Sequence, residues 1–377
     1  MNISVIKDCY GCGVCAISCP KHIIEIRLNK DGFYEPHITD SILCIDCSIC
    51  TDVCSFLHNE LVVKNVPQKS YAAWSKESAI HRKCSSGGIG FEIGRTLISE
   101  GYKVCGVRYN VEKRQAEHYI ASTVEELVQS IGSKYIQSYT ADGFKAINRK
   151  EKYLVVGTPC QIDSFRRYIR KFKIEDNFIL MDFFCHAVPS KLMWDKYIGN
   201  IEKITGKITY ASWRNKFTGW HDSYNILISG KKGYWNSRLS QGDIFFRLFF
   251  GDYCSNSACS KNCKFKYDKS SADIRIGDLW GKTYADDEKG VSAAIAFTEK
   301  GERVICETNC ILKEYPFDTV AEGQMKKNIG PAYTSGIVRM MLRSQRQNIP
   351  NIFWKIIFIL ERVIRIPERI KKNVQIK

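Results

Sequence analysis

Two repeated cysteine runs before residue 60, apolar stretches alternating with helical patterns after residue 70, and a basic amphipathic stretch at the end predict the fold class. They give a small α+β module, a larger α/β domain with a mixed sheet, and a helical C-terminal tail. A length of 377 residues suits two or three domains. With 44% hydrophobic and 25% charged residues the composition is that of folded domains, which excludes disordered and collagenous classes. Seventeen cysteines are too many for ordinary packing and too few for a small disulfide scaffold. The opening MNISVIKDCYGCG lacks a signal-peptide pattern, and no apolar run reaches the length of about 18 residues that a membrane span needs. A cytoplasmic location is therefore expected, where thiols stay reduced and serve as metal ligands or reactive groups. Net charge is +16, yet residues 1–60 hold four basic and eight acidic side chains. That −4 segment against a +20 remainder predicts docking of the module on the body by charge complementarity.

In the first element, residues 1–62, Cys9, Cys12, Cys15 and Cys19 follow C-x2-C-x2-C-x3-C, with Pro20 next, and Cys44, Cys47, Cys50 and Cys54 repeat the spacing. Three closely spaced thiolates wrap one face of a cubane, and the fourth points to the neighbouring site. Two 4Fe-4S clusters are predicted, with crossed ligands: Cys9, Cys12, Cys15 and Cys54 on one, Cys44, Cys47, Cys50 and Cys19 on the other. The alternative is a pair of zinc sites, but identical runs of four, the first ending in Cys-Pro, fit a ferredoxin-like iron-sulfur module better. Gly11 and Gly13 suit a tight ligand loop, and Asp31-Gly32 marks a hairpin within IIEIRLNKDGFYEPHI.

A polar stretch at residues 64–69 reads as a linker to a second domain at 70–300. Strands are expected at 102–109, 152–157 and 177–185, with helices after Gly88, Cys160 and Ser190. The alternating runs KITYASWR, SYNILIS and ADIRIGDLWG suggest a separate antiparallel sheet. Ser85, Ser86, Gly87 and Gly88 precede the helical stretch 89–99, where free N–H groups and hydroxyls hold a phosphate or merely cap a helix. Gly157, Thr158, Pro159, Cys160 and Gln161, and then Cys185 and His186, end neighbouring strands at the edge where open α/β sheets bind ligands.

Cys254, Cys259 and Cys263 form a third group, one thiol short of a cubane site, which Cys160 or Cys185 would complete. The expected set takes Cys185 with Cys254, Cys259 and Cys263; a structural or zinc role is the alternative. Cys84, Cys105, Cys306 and Cys310 read as packing residues.

The two cysteine runs followed by CSSGG (84–88), GSKYIQS (132–138), GTPCQ (157–161), DFFCHAVPS (182–190), RNKFTGW (214–220) and ADIRIGDLWG (272–281) resemble the coenzyme F-420 hydrogenase/dehydrogenase beta-subunit family over residues 1–300. The resemblance implies an oxidoreductase that binds FAD and passes electrons between 4Fe-4S clusters and a hydride-carrying coenzyme, coenzyme F-420 in relatives, or a small-molecule substrate. It implies flavin contacts from Ser86, Gly87, Gly88, Lys134, Tyr135, Thr158, Pro159 and Gln161, while Arg214 and Lys216 would meet phosphates or an acidic substrate. No residue is assigned to a chemical step. Relatives usually have Cys-His-Gly where this chain has Cys185-His186-Ala187, and a shorter cysteine loop.

The last element, residues 301–377, is expected to be helical and basic; residues 339–377 alone carry ten Lys or Arg and two acids. Ile352, Phe353, Ile356, Ile357, Leu360, Val363 and Ile364 fall near one helical face, up to Pro367. Such a helix lies on the inner membrane face or packs on its own domain or a partner. Nucleic acid is not expected, since no binding motif accompanies the charge. Two rival functions remain open: a noncatalytic electron-transfer subunit served by a redox partner protein or small-molecule electron donor or acceptor, and an accessory reductase in surface polysaccharide biosynthesis.

Overall fold

The computed structural model describes residues 2–346 and 349–367. Its N-terminal module has an antiparallel hairpin, β1 (Ile24–Leu28) and β2 (Tyr34–Ile38), with Ile26 opposite Pro36. Two short helices, Val14–Ser18 and Ile49–Asp52, carry cysteines of the two runs. Gly13 is left-handed at φ +74°, and a Cβ there would stand 2.0 Å from Thr140 Oγ1, so only glycine fits this turn against the body.

The body contains β3 (Lys69–Ser75), β4 (Lys103–Asn110), β5 (Gln115–Ala121), β6 (Ser138–Tyr139), β7 (Tyr153–Val156), β8 (Phe178–Phe183), β9 (Ile208–Arg214), β10 (Tyr224–Gly230), β11 (Gly233–Arg238), β12 (Ile274–Asp278), β13 (Ser292–Ala296) and β14 (Cys310–Glu314). Nine of them form one mixed sheet in the order β14-β3-β13-β12-β8-β7-β4-β5-β6. Its centre, β12-β8-β7-β4, is parallel, and its flanks are largely antiparallel. Helices Ile89–Ser99 and Lys191–Thr205 follow Gly88 and Ser190 as the sequence predicts, while the helix expected after Cys160 starts earlier, at Pro159, because Thr158 and Gln161 cap it and Pro159 suits its first position.

β9, β10 and β11 make a separate antiparallel sheet, but β12 does not join them. It pairs in parallel with β8, Ile274 opposite Met181. The alternation in ADIRIGDLWG is misleading because its polar member is interior: the fully buried Arg275 guanidinium donates to both carboxylate oxygens of Asp182 at 2.7 Å. The sheet also passes residue 300. Helix Glu299–Cys306 and strand β14, paired with β3, occupy the beginning of the stretch expected to be purely helical.

Charge complementarity explains only part of the docking between module and body. Lys171 meets Asp52 at 2.8 Å and Arg343 meets Asp31 at 2.6 Å, while the remaining links are mostly neutral or backbone contacts. Gln137 accepts from Tyr34 N at 2.9 Å and donates to the Tyr10 carbonyl at 3.2 Å. Ser164 Oγ, buried, accepts from Ser55 N at 3.0 Å and lies 3.3 Å from Cys12 Sγ. The expected linker is laid along the body, with Gln68 N donating to the Ala296 carbonyl.

Candidate metal centres and ligand cavity

The structure brings the eight N-terminal cysteines into two crossed sets. Burial raises the thiol pKa of Cys9, Cys12 and Cys15 and lifts Cys54 to about 11; the charge of neighbouring thiols in the set adds to the rise for Cys9, Cys15 and Cys54. Cys19, Cys44, Cys47 and Cys50 line one small cavity with Pro20, and Asn2 Nδ2 reaches Cys44 Sγ at 3.4 Å. Among the described residues no three Cys, His, Asp or Glu side chains converge on a single metal ion. Four buried thiols with raised pKa values resist ionising together unless a cationic group binds, so the first set suits a centre whose assembly releases protons.

A third set lies beside the first, and its membership differs from expectation. Cys160, Cys185, Cys259 and Cys263 all line one large cavity. Burial raises Cys160, Cys185 and Cys259, and the charges of Cys259, Cys185 and the module's Cys12 raise Cys160 further. Cys254 is not among them. Ser190 N donates to the Cys254 carbonyl, and the thiol turns into the aromatic core, 3.2 Å from Met193 Sδ. Tyr10 adjoins Cys9 in sequence and lines the same cavity, its ring packed edge-on to Phe56 at 5.2 Å and Phe265 at 5.9 Å. Cys105 and Cys310 pack in the core; Cys306 is exposed, and Cys84 faces the cavity.

The cavity encloses about 560 Å³ at the carboxyl ends of β7, β8 and β12, the edge where parallel strands leave their ligand crevice. Ser86, Gly88, Lys134, Tyr135, Thr158, Pro159 and Gln161 line it. Gln161 is partly committed already, accepting from Thr158 N at 2.8 Å and donating to Ser138 Oγ at 3.2 Å, so it braces the loop. Gly87 is not a wall residue: a Cβ there would lie 2.1 Å from the Ala73 carbonyl, which makes it a close-packing position against β3.

Arg214 and Lys216 are also behind the wall rather than in it. Arg214 is fully buried and donates to both Asp278 oxygens at 3.0 Å, to Tyr135 Oη at 3.2 Å and to the Ser85 carbonyl at 3.2 Å. Its guanidinium also lies over the rings of Tyr224 and Trp280. Lys216 Nζ donates to the carbonyls of His81, Ser86 and Lys289. Both have spent their donors within the protein, one each on the serine-glycine loop, so neither is free to meet a phosphate.

Sequence reasoning missed the aromatic and acidic walls. Tyr224, Phe249, Phe250, Trp280 and Asp278 line the cavity, and His186 stands between Phe249 and Asp252, 3.3 Å from the latter's carboxylate. Asp278 and Trp280 lie inside the quoted ADIRIGDLWG motif, whereas nothing in the apolar run IFFRLFF distinguishes a cavity phenylalanine from a core one.

Lys134 Nζ donates to the carbonyls of Ser130 at 2.8 Å and Ile131 at 3.1 Å, and burial pulls its pKa down to about 7. Between that value and the ordinary lysine value the unfolded chain holds a proton that the folded chain lacks, so this group's contribution to stability rises with pH across that window. Lys134→Met is expected to flatten the rise, measured by urea denaturation from neutral to alkaline pH. An equal slope in both proteins would show that Lys134 stays charged in the fold.

Residues 150–314 match the family model for the C terminus of the coenzyme F420 hydrogenase/dehydrogenase beta subunit, and residues 8–65 match the 4Fe-4S dicluster domain. No curated protein matches the chain. A chain in the solved F420-reducing NiFe hydrogenase complex from Methanosarcina barkeri aligns at 15% identity and a TM-score of 0.47, covering 74% of this chain and 89% of that one. The chain thus joins a 4Fe-4S dicluster domain to a domain of the coenzyme F420 hydrogenase/dehydrogenase beta-subunit family.

Proposed function

We propose that this is an iron-sulfur flavoprotein oxidoreductase in which the three cysteine sets hold 4Fe-4S clusters and the large cavity holds FAD. One observation carries the reading: Cys160, Cys185, Cys259 and Cys263 form a wall of the same cavity that the strand-end loops line, and Cys160 is close enough to Cys12 to feel its charge. The sets therefore run from Cys19, Cys44, Cys47 and Cys50 through Cys9, Cys12, Cys15 and Cys54 to the cavity. Bound FAD would exchange an electron pair with a hydride carrier, coenzyme F-420 or a small molecule, and single electrons with the clusters.

The chain's own residues position and seal the site. Phe249, Phe250, Tyr224 and Trp280 offer flat apolar faces to a planar ring and exclude water. Ser86 and Gly88, ahead of helix Ile89–Ser99, offer a hydroxyl and free backbone N–H groups to phosphate. Gln161, accepting from Thr158 N, and Pro159 fix the helix start that carries Cys160. The reading places the protein in the cytoplasm, where thiols stay reduced and available as cluster ligands. Among the described residues no helix is long and apolar enough to cross a membrane. The reading includes peripheral contact with the inner membrane face through the C-terminal helix, favoured by its exposed apolar residues.

Purification without oxygen, followed by quantification of iron, sulfide and flavin, tests the assignment. The expected result is about twelve irons per chain at four per cubane, with one flavin. Colourless protein without sulfide or flavin would overturn it.

A further inference from the structure

The C-terminal helix Asn351–Ile364 is apolar on two opposite faces, not on the one face its sequence suggests. Its inner face packs on the body. Trp354 and Ile357 join the core around Val338 and Leu342, and Phe358 packs edge-on to Tyr253 at 5.3 Å. Buried Glu361 clips this face in place, accepting from Thr334 N at 3.0 Å and from Arg365 Nε at 2.6 Å. The opposite face consists of Ile352, Ile356, Ile359, Leu360 and Val363, spaced as one helical stripe and 42–63% exposed. Of the residues expected to form a single face, Ile357 is inside while most of the others point out. Lys355 and Arg362 lie along one edge of this outer stripe.

A helix that is apolar nearly all round needs cover on both sides. Candidates for the outer stripe are residues 368–377, a second copy, a partner protein and a lipid surface. Residues 368–377 read ERIKKNVQIK, too polar to bury five aliphatic side chains. A second copy would bring two Lys355–Arg362 edges to one interface, while the helix's one acid, Glu361, is buried and already paired. Anionic lipid satisfies both features at once, taking the aliphatic stripe into the acyl boundary and the cationic edge into the headgroups.

We infer that the outer stripe of this helix lies in the plane of an anionic bilayer surface, holding the body on the membrane through the Glu361 clip. This rests on the membrane contact proposed above and adds its face and its lipid chemistry. The test is co-sedimentation of the full-length holoprotein with phosphatidylcholine vesicles and with mixed phosphatidylcholine and phosphatidylglycerol vesicles. Wild type is expected to bind the mixed vesicles and to dissociate at high salt. The double variant Ile356→Glu and Ile359→Glu should bind them more than about tenfold less tightly, since two buried aliphatic contacts are lost. Both positions are exposed, so its melting temperature and cluster content should match wild type. Equal binding by the double variant would overturn the inference, as would a wild-type dimer that the variant turns into monomers. Equal binding to neutral and anionic vesicles would overturn the lipid chemistry while leaving membrane contact standing, and no binding to either would remove both.

Discussion

Cys259→Ser will lower the iron content of anaerobically purified protein from about twelve to about eight per chain, while Cys254→Ser will leave it near twelve, at four irons per cubane. The two cysteines are five residues apart and look alike in sequence. In the fold one lines the cavity beside Cys160, Cys185 and Cys263, and the other is buried against Met193. The loss should be confined to the third set, because the dicluster thiols are supplied wholly by residues 9–54. Flavin should remain bound yet be cut off from the module's clusters, so a reductant acting at the cavity would bleach flavin without reducing iron. Iron analysis with absorbance during anaerobic titration reads both. A fall in iron for Cys254→Ser, or none for Cys259→Ser, would refute this ligand set.

What the sequence showed depended on how local the chemistry is. The eight dicluster thiols are legible because each run of four places its ligands by short-range turns, down to Gly13, which must be left-handed. Parallel pairing of β7 and β8 brings Cys160 beside Cys185, and the bridge between Pro189 and Ser255 brings in Cys259 and Cys263 from far along the chain, so spacing shows neither approach. Cys254 is expected in the third set but packs inward against Met193, where the segment's pairing with residues 188–190 holds it, a contact its spacing does not show. The same limit applies to charge. Arg275 and Glu361 are buried with their partners, a placement that follows from contacts distant in sequence and not from the local charge pattern. Arg214 and Lys216, expected to meet phosphates or an acidic substrate, instead donate to Asp278 and to carbonyls: a cation near a cofactor loop serves either kind of acceptor until its donors are counted.

Arg214→Ala is expected to destabilise the fold by about 3–5 kcal/mol, the cost of breaking a buried ion pair by removing one partner. The guanidinium is fully buried and the Asp278 carboxylate nearly so, leaving the latter charge facing Trp220 Nε1 alone at 2.9 Å. Stability is only part of the effect. Arg214 ties the Ser85 carbonyl, Tyr135, Asp278 and the rings of Tyr224 and Trp280 together, so five residues of the cavity wall lose one common strut. Flavin content should fall with it, whereas iron in the dicluster module should not. Arg214→Lys keeps the charge but not the two-pronged geometry, and should fall between wild type and alanine in both readouts. Pairing Arg214→Ala with Asp278→Ala removes the orphaned carboxylate, so the double variant should be more stable than the sum of the two single losses implies. Strict additivity in urea denaturation would mean that the pair is not coupled in the fold. An alanine variant that keeps full flavin would mean that the cavity walls stand without this strut, and the binding role would then pass to the serine-glycine loop itself.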